Sequence, residues 1–290
     1  MQIRILTFQD FHGRQRGKIG SSIIRGEWLV NNWDEADYFK QGCQADCYIY
    51  QKVFWEHHIK DVKDEVKILD LCDPDWLKGE FNLRELSQYV DAITTSSEEL
   101  ARVIRGFADC EVLCIPDRLD LTQFPKKLKF HSGKAKQVVW FGYQHNADEV
   151  LPQVLPSLAK LGLSLLVVSD GTFNPAIDYG VDIINTHYEI DNAYYLISQA
   201  DFAINPKLMT KNFKYKSSNK TLTCWALGLP VAETADDMEK YLLPEERNKE
   251  AVKRFVEIKK DWDIKTNVKI YKDLIQKICQ RKLKEQICSM

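Results

Sequence analysis

The residues best suited to chemistry lie in segment 213–233, which joins a cationic loop to a short apolar helix pattern and a buried strand pattern. Small polar residues and cations alternate there: Lys214, Lys216, Ser217, Ser218, Asn219, Lys220 and Thr221. Because a predicted helix begins at 221, cations and helix N-terminal amides converge, and both attract phosphate. Gly228 closes this helix before a predicted strand. The segment predicts a phosphate site for a nucleotide ligand; the alternative is an ordinary helix behind a solvated lysine loop.

A second loop of phosphate-binding composition follows the first predicted strand. Residues 12–22 combine glycines, cations and small polar side chains. Glycine lets a backbone approach a diphosphate closely, so Gly20, Ser21 and Ser22 are the predicted contacts. The alternative is a flexible basic loop.

Carboxylates follow the strand predicted at 67–71, where parallel sheets place their ligands. Asp73 is the predicted general base, provided that its surroundings raise its pKa toward the working pH. His12, just after the first predicted strand, is the alternative base. The structural alternative is that Asp73 and Asp75 cap the turn at Pro74.

Composition excludes several classes of protein. The 290 residues include 40 Lys and Arg against 42 Asp and Glu, a formal charge of -2, so no basic face for nucleic acid is expected. The sequence has no apolar run of about 18 residues and no signal-peptide pattern, which predicts a cytoplasmic protein. The eight cysteines lack a zinc-type spacing with histidine, so reduced thiols and no metal site are expected.

Strand and helix patterns alternate along the chain, which is typical of an α/β protein with parallel sheets. Strands are predicted at 3–8, 47–51, 67–71, 92–95, 111–115, 137–141, 164–168, 182–184 and 202–205. Helices are predicted at 22–33, 83–90, 98–107, 149–161 and, as two helices, from 248 onward. A polar, basic stretch at 124–134 has linker composition, so the domains are predicted as 1–130 and 131–264, with a helix at 265–290 packing back on the first.

Several landmarks then occur in the order found in one enzyme family. Residues 91–98 resemble its strand and serine-led helix start, 115–124 (IPDRLDLTQF) its I-P-N-G-V-D-x-x-x-F signature, 138–142 its first donor-domain strand, 200–206 its A-D-x-x-x-x-P segment, and 226–231 its A-x-G-x-P-V segment. The chain thus resembles the glycogen synthase-like GT-B glycosyltransferases of polysaccharide biosynthesis, as a divergent branch. Matching landmarks run from about residue 91 to 231.

The resemblance implies two Rossmann-like domains with parallel sheets facing across a cleft. It implies an N-terminal acceptor domain and a C-terminal domain for a nucleotide-sugar donor, acting without a metal and with no cofactor beyond that donor. The implied acceptor is a glycan or lipid-linked glycan, as in surface-polysaccharide synthesis. Cations along 269–284 suggest peripheral contact with an anionic membrane, against the alternative of a solvated helix.

The chain also departs from the family pattern. Tyr215 and Thr223 stand where the family often has a Glu-x7-Glu pair, and the Arg and Lys usual after the first donor-domain strand are replaced at 142–146. The predicted donor contacts therefore come from the positions that match the family segments and from the cationic loop. They are Gly142, Tyr143, His145, Asn146, Lys216, Ser218, Asn219, Lys220 and Thr221. Lys216 and Lys220 are the nearest cations for phosphate.

Three other functions remain open. A nucleotide-sugar-binding or scaffold protein without catalysis would explain the missing glutamates. A GT-A type enzyme would use Asp73-Pro74-Asp75 as a manganese-binding D-x-D motif, although the second α/β pattern after 136 favours GT-B. A sugar-nucleotide epimerase would need donor-side carboxylates, for which Asp170 and Glu233 are the candidates.

Overall fold

The computed structural model describes residues 1–16, 19–206 and 213–289, and their contacts divide the chain into two compact units. Through its described residues, unit 1 comprises Met1–Asp120, Thr210–Ser217 and Asp263–Met290, and unit 2 comprises Leu121–Met209 and Ser218–Trp262. Each unit is built on a parallel sheet, which confirms the predicted α/β class. Within the described ranges, no helix combines the length and the apolar character that crossing a membrane requires.

The described strands of unit 1 form one parallel sheet in the order β2-β1-β3-β4-β5-β6. They are β1 (Ile3–Thr7), β2 (Ala36–Tyr38), β3 (Cys47–Gln51), β4 (Val66–Leu71), β5 (Ala92–Thr95) and β6 (Glu111–Cys114). Strands β3 and β4 are buried along their whole length, as expected of a parallel sheet with both faces covered. Strand β2 was not predicted because three residues are too few to show a strand pattern.

The described strands of unit 2 form a second parallel sheet, in the order β11-β10-β7-β8-β9. They are β7 (Gln137–Gly142), β8 (Ser164–Ser169), β9 (Ile183–His187), β10 (Phe202–Ile204) and β11 (Val231–Ala232). Its core is a cluster of buried aliphatic and aromatic side chains that includes Trp140, Leu165 and Phe202. The restart of a parallel sheet after residue 136 is therefore confirmed.

Helices connect the strands within each unit. In unit 1 they are α1 (Phe8–Phe11), α2 (Gly20–Ser22), α3 (Trp28–Asn31), α4 (Glu56–Asp61), α5 (Leu83–Ser87), α6 (Glu98–Ile104) and α13 (Ile264–Ser289). In unit 2 they are α7 (Gln144–Val150), α8 (Leu155–Leu161), α9 (Ile190–Gln199), α10 (Asn219–Ala226), α11 (Ala235–Lys240) and α12 (Pro244–Asp261). A π-helical turn at Ile23–Glu27 joins α2 to α3, so the helix predicted at 22–33 is a continuous but irregular stretch.

A buried polar network ties these elements together in unit 1. The Arg25 guanidinium, in the π-helical turn, donates two hydrogen bonds to Asp70 at the end of β4, with N–O distances of 2.7 and 2.6 Å. It donates a third to Asp117 over 2.7 Å. Asp70 also accepts from Thr94 on β5 and from Tyr271 on α13. One buried carboxylate thus joins β4, β5, the first helical stretch and α13.

The polar stretch 124–134 is part of unit 2 and packs against its other elements. The Lys129 ammonium donates to the Ala200 carbonyl over 2.6 Å, and His131 is buried with its ring 2.8 Å from the Gly228 carbonyl. Its polar side chains bind backbone carbonyls, which a linker-like composition does not reveal. The contacts therefore divide the chain after Asp120, whereas the sequence placed the boundary at 130.

We expect Arg25→Met to destabilise the protein strongly. The substitution leaves the Asp70 and Asp117 carboxylates buried without their cation, and breaking one side of a buried pair costs about 3–5 kcal/mol. Urea unfolding at pH 7 measures the change. Arg102→Met is the matched control, because Arg102 pairs with Glu99 on an exposed surface and its loss should leave the unfolding midpoint almost unchanged. Equal unfolding midpoints for the two variants would contradict the prediction.

Candidate functional site

The sheet of unit 2 has a reversal in strand order between β7 and β10. The chain continues from β7 to β8 on one side and from β10 to β11 on the other. Open α/β sheets bind ligands beyond the carboxyl ends of the strands at such a switch point. Tyr143 follows β7 and Asn205 follows β10, so the predicted donor residues at 142–146 begin at this point.

Lys220 lies against the end of β7. Its ammonium is 4.3 Å from the centroid of the Trp140 ring, and it occupies the space that a β-carbon at residue 142 would need. Gly142 has a φ of +150°, which also disfavours any other residue there. Glycine at 142 is therefore favoured by the backbone, and its missing β-carbon leaves room for the Lys220 ammonium at the switch point.

The first turn of α10 is held to the end of β10. The Asn205 side-chain amide donates to the Thr221 hydroxyl over 3.1 Å. The helix begins at Asn219, and Ser218 is its N-cap without making a side-chain capping hydrogen bond. The first amides of a helix have no intrahelical acceptor, so this turn directs N–H groups toward the carboxyl edge of the sheet. The helix ends at Ala226, with Leu227 as its C-cap, and the φ of +75° at the following Gly228 confirms the predicted left-handed stop.

Tyr143, His145 and Asn146 stand at the start of α7, next along the chain from β7. Tyr143 is the N-cap residue, and its ring stacks on the His145 ring with centroids 5.7 Å apart and planes 14° apart. The Gln144 amide donates to Asp170 over 2.7 Å, which ties this turn to the end of β8. The starts of both α7 and α10 are thus anchored to strand ends, although the sequence predicted a helix in the region of α7 only at 149–161.

The predicted loop of unit 1 is only partly in the described residues, because Gly17 and Lys18 lie outside them. Gly20 is exposed, and a β-carbon there would meet no atom within 4 Å, so no close contact requires glycine. Ser21 is half-buried. Ser22 is fully buried, accepts from the Gln9 amide and donates to the Gln51 side chain over 2.9 Å. The Ser22 hydroxyl therefore joins the ends of β1 and β3 in this structure.

Asp73 lies in a cluster of charges at the carboxyl edge of the unit 1 sheet. Its carboxylate accepts from the Lys52 ammonium and from the Lys216 ammonium, each over 2.8 Å. Lys52 also lies 3.2 Å from Asp75, which is buried and pairs with Lys78. Three lysines and two aspartates thus form one ion cluster.

This cluster sets the protonation of Asp73. Burial by itself would raise the pKa of the carboxyl group, but the charges of Lys216 and Lys52 and their hydrogen bonds outweigh it and lower the pKa well below its usual value. A general base works best when its pKa lies near the working pH. The condition attached to Asp73 as base, a raised pKa, is therefore not met.

The two lysines predicted to share one phosphate site lie in different units. Lys216 belongs to unit 1 and pairs with Asp73, whereas Lys220 belongs to unit 2 and lies beside Gly142. The sequence analysis grouped them because they are close along the chain. In the structure, Lys216 forms an ion pair with Asp73, which is distant in sequence.

His12 ends the short helix α1 directly after β1. Its exposed ring packs against Phe8, with centroids 4.4 Å apart, and against Phe11, with centroids 5.3 Å apart. The Phe8 ring in turn lies 5.5 Å from the Lys52 ammonium. The two predicted acid–base residues of unit 1 are thus connected through Phe8 and Lys52.

Lys52 is the residue of this ion cluster that sequence reasoning missed. It directly follows β3 and has a φ of +52°, which is uncommon for a residue with a side chain. Such backbone strain concentrates at functional sites. Its place after a buried strand, the same place that Asp73 has after β4, was the signal available in the sequence.

The D-x-D interpretation meets a specific obstacle. The Lys52 ammonium lies within 3.2 Å of both Asp73 and Asp75, so a cation of the protein already bridges the two carboxylates. Among the described side chains, no group of three or more His, Cys, Asp or Glu residues could hold a metal ion.

Solved structures share this architecture, although neither a protein-family model nor a curated protein sequence matches the chain. An alpha-glucosyltransferase in complex with UDP and a 13-mer DNA has a TM-score of 0.63 at 12% identity, over 95% of this chain and 99% of its own. HepE from Anabaena, in complex with UDP and glucose, has a TM-score of 0.58 at 10% identity over 100% of both chains. TarM has a TM-score of 0.58 at 11% identity over 86% of this chain.

These similarities establish the fold. The chain has the GT-B architecture of two Rossmann-like units, each with its own parallel sheet, as predicted. The identities of 10–12% lie far below the level at which function transfers. The chain spans only 56% of the length of TarM.

We expect Lys52→Met to raise the pKa of Asp73. The variant removes one of the two cations that stabilise the ionised carboxylate, so the pKa moves toward the ordinary value of about 3.9. Carbon-13 NMR titration of the aspartate carboxyls, assigned with Asp73→Asn, measures it. Because the folded-state pKa is depressed in the wild type, this ion pair stabilises the protein above about pH 4 and is lost as the pH falls through the folded-state pKa.

Lys40→Met is the control for this titration, since Lys40 is exposed and pairs with Asp37. The Lys40→Met variant should leave the pKa of Asp73 unchanged. An identical Asp73 titration in the wild type and Lys52→Met would show that Lys52 does not set the charge of the carboxylate.

Proposed function

We propose that the chain is a glycosyltransferase that moves a sugar from a nucleotide-sugar donor to a glycan or lipid-linked glycan, in surface-polysaccharide synthesis. The observation that carries the proposal is the position of Lys220 at the β7/β10 switch point, against Gly142 and in the first turn of α10. A lysine and a helix N-terminus together suit a diphosphate. The UDP complexes of HepE and of the alpha-glucosyltransferase, which have the same fold, support a nucleotide as ligand.

In this proposal, unit 2 binds the donor. Lys220 and the first amides of α10 contact the diphosphate, with Thr221 and Asn219 as neutral donors beside it. As the bond between the anomeric carbon and the diphosphate breaks, these groups stabilise the negative charge of the leaving group, which is the electrostatic effect that contributes most to many enzymes. The proposal assigns this work to the protein without a metal ion.

Calorimetric binding of UDP, GDP, ADP, TDP and CMP, each with and without manganese, tests the donor site. We expect one nucleotide to bind without the metal, and Lys220→Ala to weaken that binding about tenfold or more, because a hydrogen bond to a charged group contributes about 1.5–3 kcal/mol. Lys160→Ala, on the exposed surface of α8 in the same unit, should bind as the wild type does. Unchanged affinity in a folded Lys220→Ala variant would remove the phosphate assignment, and binding only with manganese would favour a metal-dependent enzyme.

Unit 1 binds the acceptor in this proposal and supplies the group that receives its proton. The acceptor oxygen attacks the anomeric carbon, its proton passes to the base, and the nucleoside diphosphate leaves with the electrons of the broken bond. Asp73 was the first candidate, but its two lysine partners lower its pKa. We therefore assign the proton transfer to His12, whose exposed imidazole directly follows α1 at the carboxyl edge of the unit 1 sheet.

We expect His12→Gln to lower the transfer rate about 100-fold or more with unchanged nucleotide affinity, which is the usual contribution of a general base. Asp73→Asn should have the smaller effect on transfer. Rates of sugar transfer and of donor hydrolysis in the two variants measure this. The reverse order would return the role of base to Asp73, and full activity in both variants would favour a retaining reaction without a protein base.

A specific observation favours a second candidate, a nucleotide-sugar-binding or scaffold protein without catalysis. Tyr215 is buried in the core of unit 1 and Thr223 is buried in α10, so no carboxylate occupies either position of the family's glutamate pair. Nucleotide binding without transfer to any acceptor would support this candidate. The cytoplasmic location and the peripheral membrane contact stay predictions.

A further inference from the structure

The sheet of unit 1 has a switch point of its own. Strand β1 lies between β2 and β3, and the chain passes from β1 to β2 on one side before it returns to β3 on the other. In sheets of this order the ligand crevice lies beyond the carboxyl ends of the two strands at the reversal. The segments that leave β1 and β3 are α1 (Phe8–Phe11) and the turn from Lys52 to Trp55. They have no assigned function apart from that of His12.

Aromatic side chains from both segments meet at this point. The Phe11 and Trp55 rings have centroids 5.8 Å apart, and His12 lies edge-on to Phe11. Phe11 is 44% exposed, His12 is exposed and Trp55 is half-buried, so their rings reach the surface. We call Phe11, His12 and Trp55 the aromatic platform.

The platform is held from below, so its orientation is fixed before any ligand binds. The Trp55 ring stacks on His58 with centroids 4.6 Å apart, and the His58 ring is bonded to the buried Tyr50 hydroxyl over 2.8 Å. The Phe39 ring packs edge-on against Trp55. A ring fixed in this way loses little conformational entropy on binding, which favours affinity.

Charged groups lie beside Phe8, whose ring packs against the platform residue His12 with centroids 4.4 Å apart. Arg14 lies 5.6 Å from the Phe8 ring, and Lys52 lies 5.5 Å from the same ring. The Lys52 ammonium also donates to the Asp73 carboxylate. An apolar face with cations and a carboxylate on the far side of one ring suits a ligand that itself has an apolar face and a polar edge.

A pyranose ring has that chemistry. Its axial C–H bonds form one weakly positive apolar face, which stacks on the negative face of an aromatic ring, while its hydroxyl groups point outward along the edge. A lipid chain would leave the polar border unused. A planar anion would be held mainly by the cations and would not need the rings.

We propose that the aromatic platform binds a pyranose ring of the acceptor glycan. The ring stacks on Phe11 and Trp55, and one of its hydroxyl groups is directed toward His12. That the sugar belongs to the acceptor rests on the proposed function. Binding of a pyranose at the platform does not depend on it. Recognition and proton transfer then belong to the same short helix.

The test is fluorine NMR of the full chain labelled with 5-fluorotryptophan. Trp55→Phe identifies the Trp55 resonance. The probes are the methyl pyranosides of glucose, galactose, mannose and N-acetylglucosamine, each titrated to high millimolar concentration. We expect at least one of them to shift the Trp55 resonance in a saturable manner, and Phe11→Ala to weaken that binding at least fivefold.

Phe107→Ala is the matched control, because Phe107 is also a phenylalanine of unit 1 and is 44% exposed, like Phe11. It should bind the probe as the wild type does. Equal weakening by both variants would assign the effect to a general change in unit 1 and would overturn the proposal. So would a Trp55 resonance that no pyranoside shifts, or one that shifts only with dodecyl phosphate, which would assign the platform to a lipid.

Nucleotide calorimetry on the same samples separates this inference from the proposed function. Phe11→Ala should retain the nucleotide affinity of the wild type. Saturable pyranoside binding in a protein that binds no nucleotide would uphold the sugar platform and reject the donor site. Nucleotide binding without any pyranoside effect would uphold the donor site and reject the sugar platform.

Discussion

The buried ion pair between Arg25 and Asp70 is the constraint on which unit 1 depends. A charge removed from water is costly unless it is paired and hydrogen-bonded, and Asp70 satisfies this requirement with partners from three other elements, Arg25, Thr94 and Tyr271. Asp70 lies in β4 just before Asp73, and Arg25 lies in the helical stretch that begins at Gly20. The network therefore fixes both the strand that carries the ion cluster and the helical stretch that covers β1.

The same topological rule places the chemistry in each unit. A reversal of strand order leaves two adjacent strand ends whose connections diverge, and the space between those connections is lined by whatever residues follow the strands. In unit 2 that space receives Gly142 and Lys220, and the lysine ammonium occupies the room left by the missing β-carbon. In unit 1 it receives the platform residues and Lys52. The phosphate site and the sugar platform that we propose thus rest on one architecture with different side chains.

The two parallel sheets could be predicted from the sequence, since the apolar runs of buried strands can be recognised without knowing which strands pair. Gly142, Lys220 and Thr221 were predictable because a helix start and a glycine are local signals, and the structure places them at the edge of one sheet. The partners of Asp73 were not predictable, because Lys52 and Lys216 contact it through tertiary structure. A local pattern locates a titratable group, but its pKa depends on charges that the pattern does not contain.

The dependence of a pKa on tertiary partners gives Asp73 and His12 different roles in the chemistry proposed for unit 1. A carboxylate held by two lysines stays ionised and keeps its neighbours in place, so Asp73 is better suited to organising the edge of the sheet than to taking up a proton. His12 differs because its ring reaches the surface and packs against the Phe8 and Phe11 rings. The short segment after β1 therefore combines an aromatic surface with an exposed imidazole, and Asp73, which follows β4, supplies a fixed charge in the same unit.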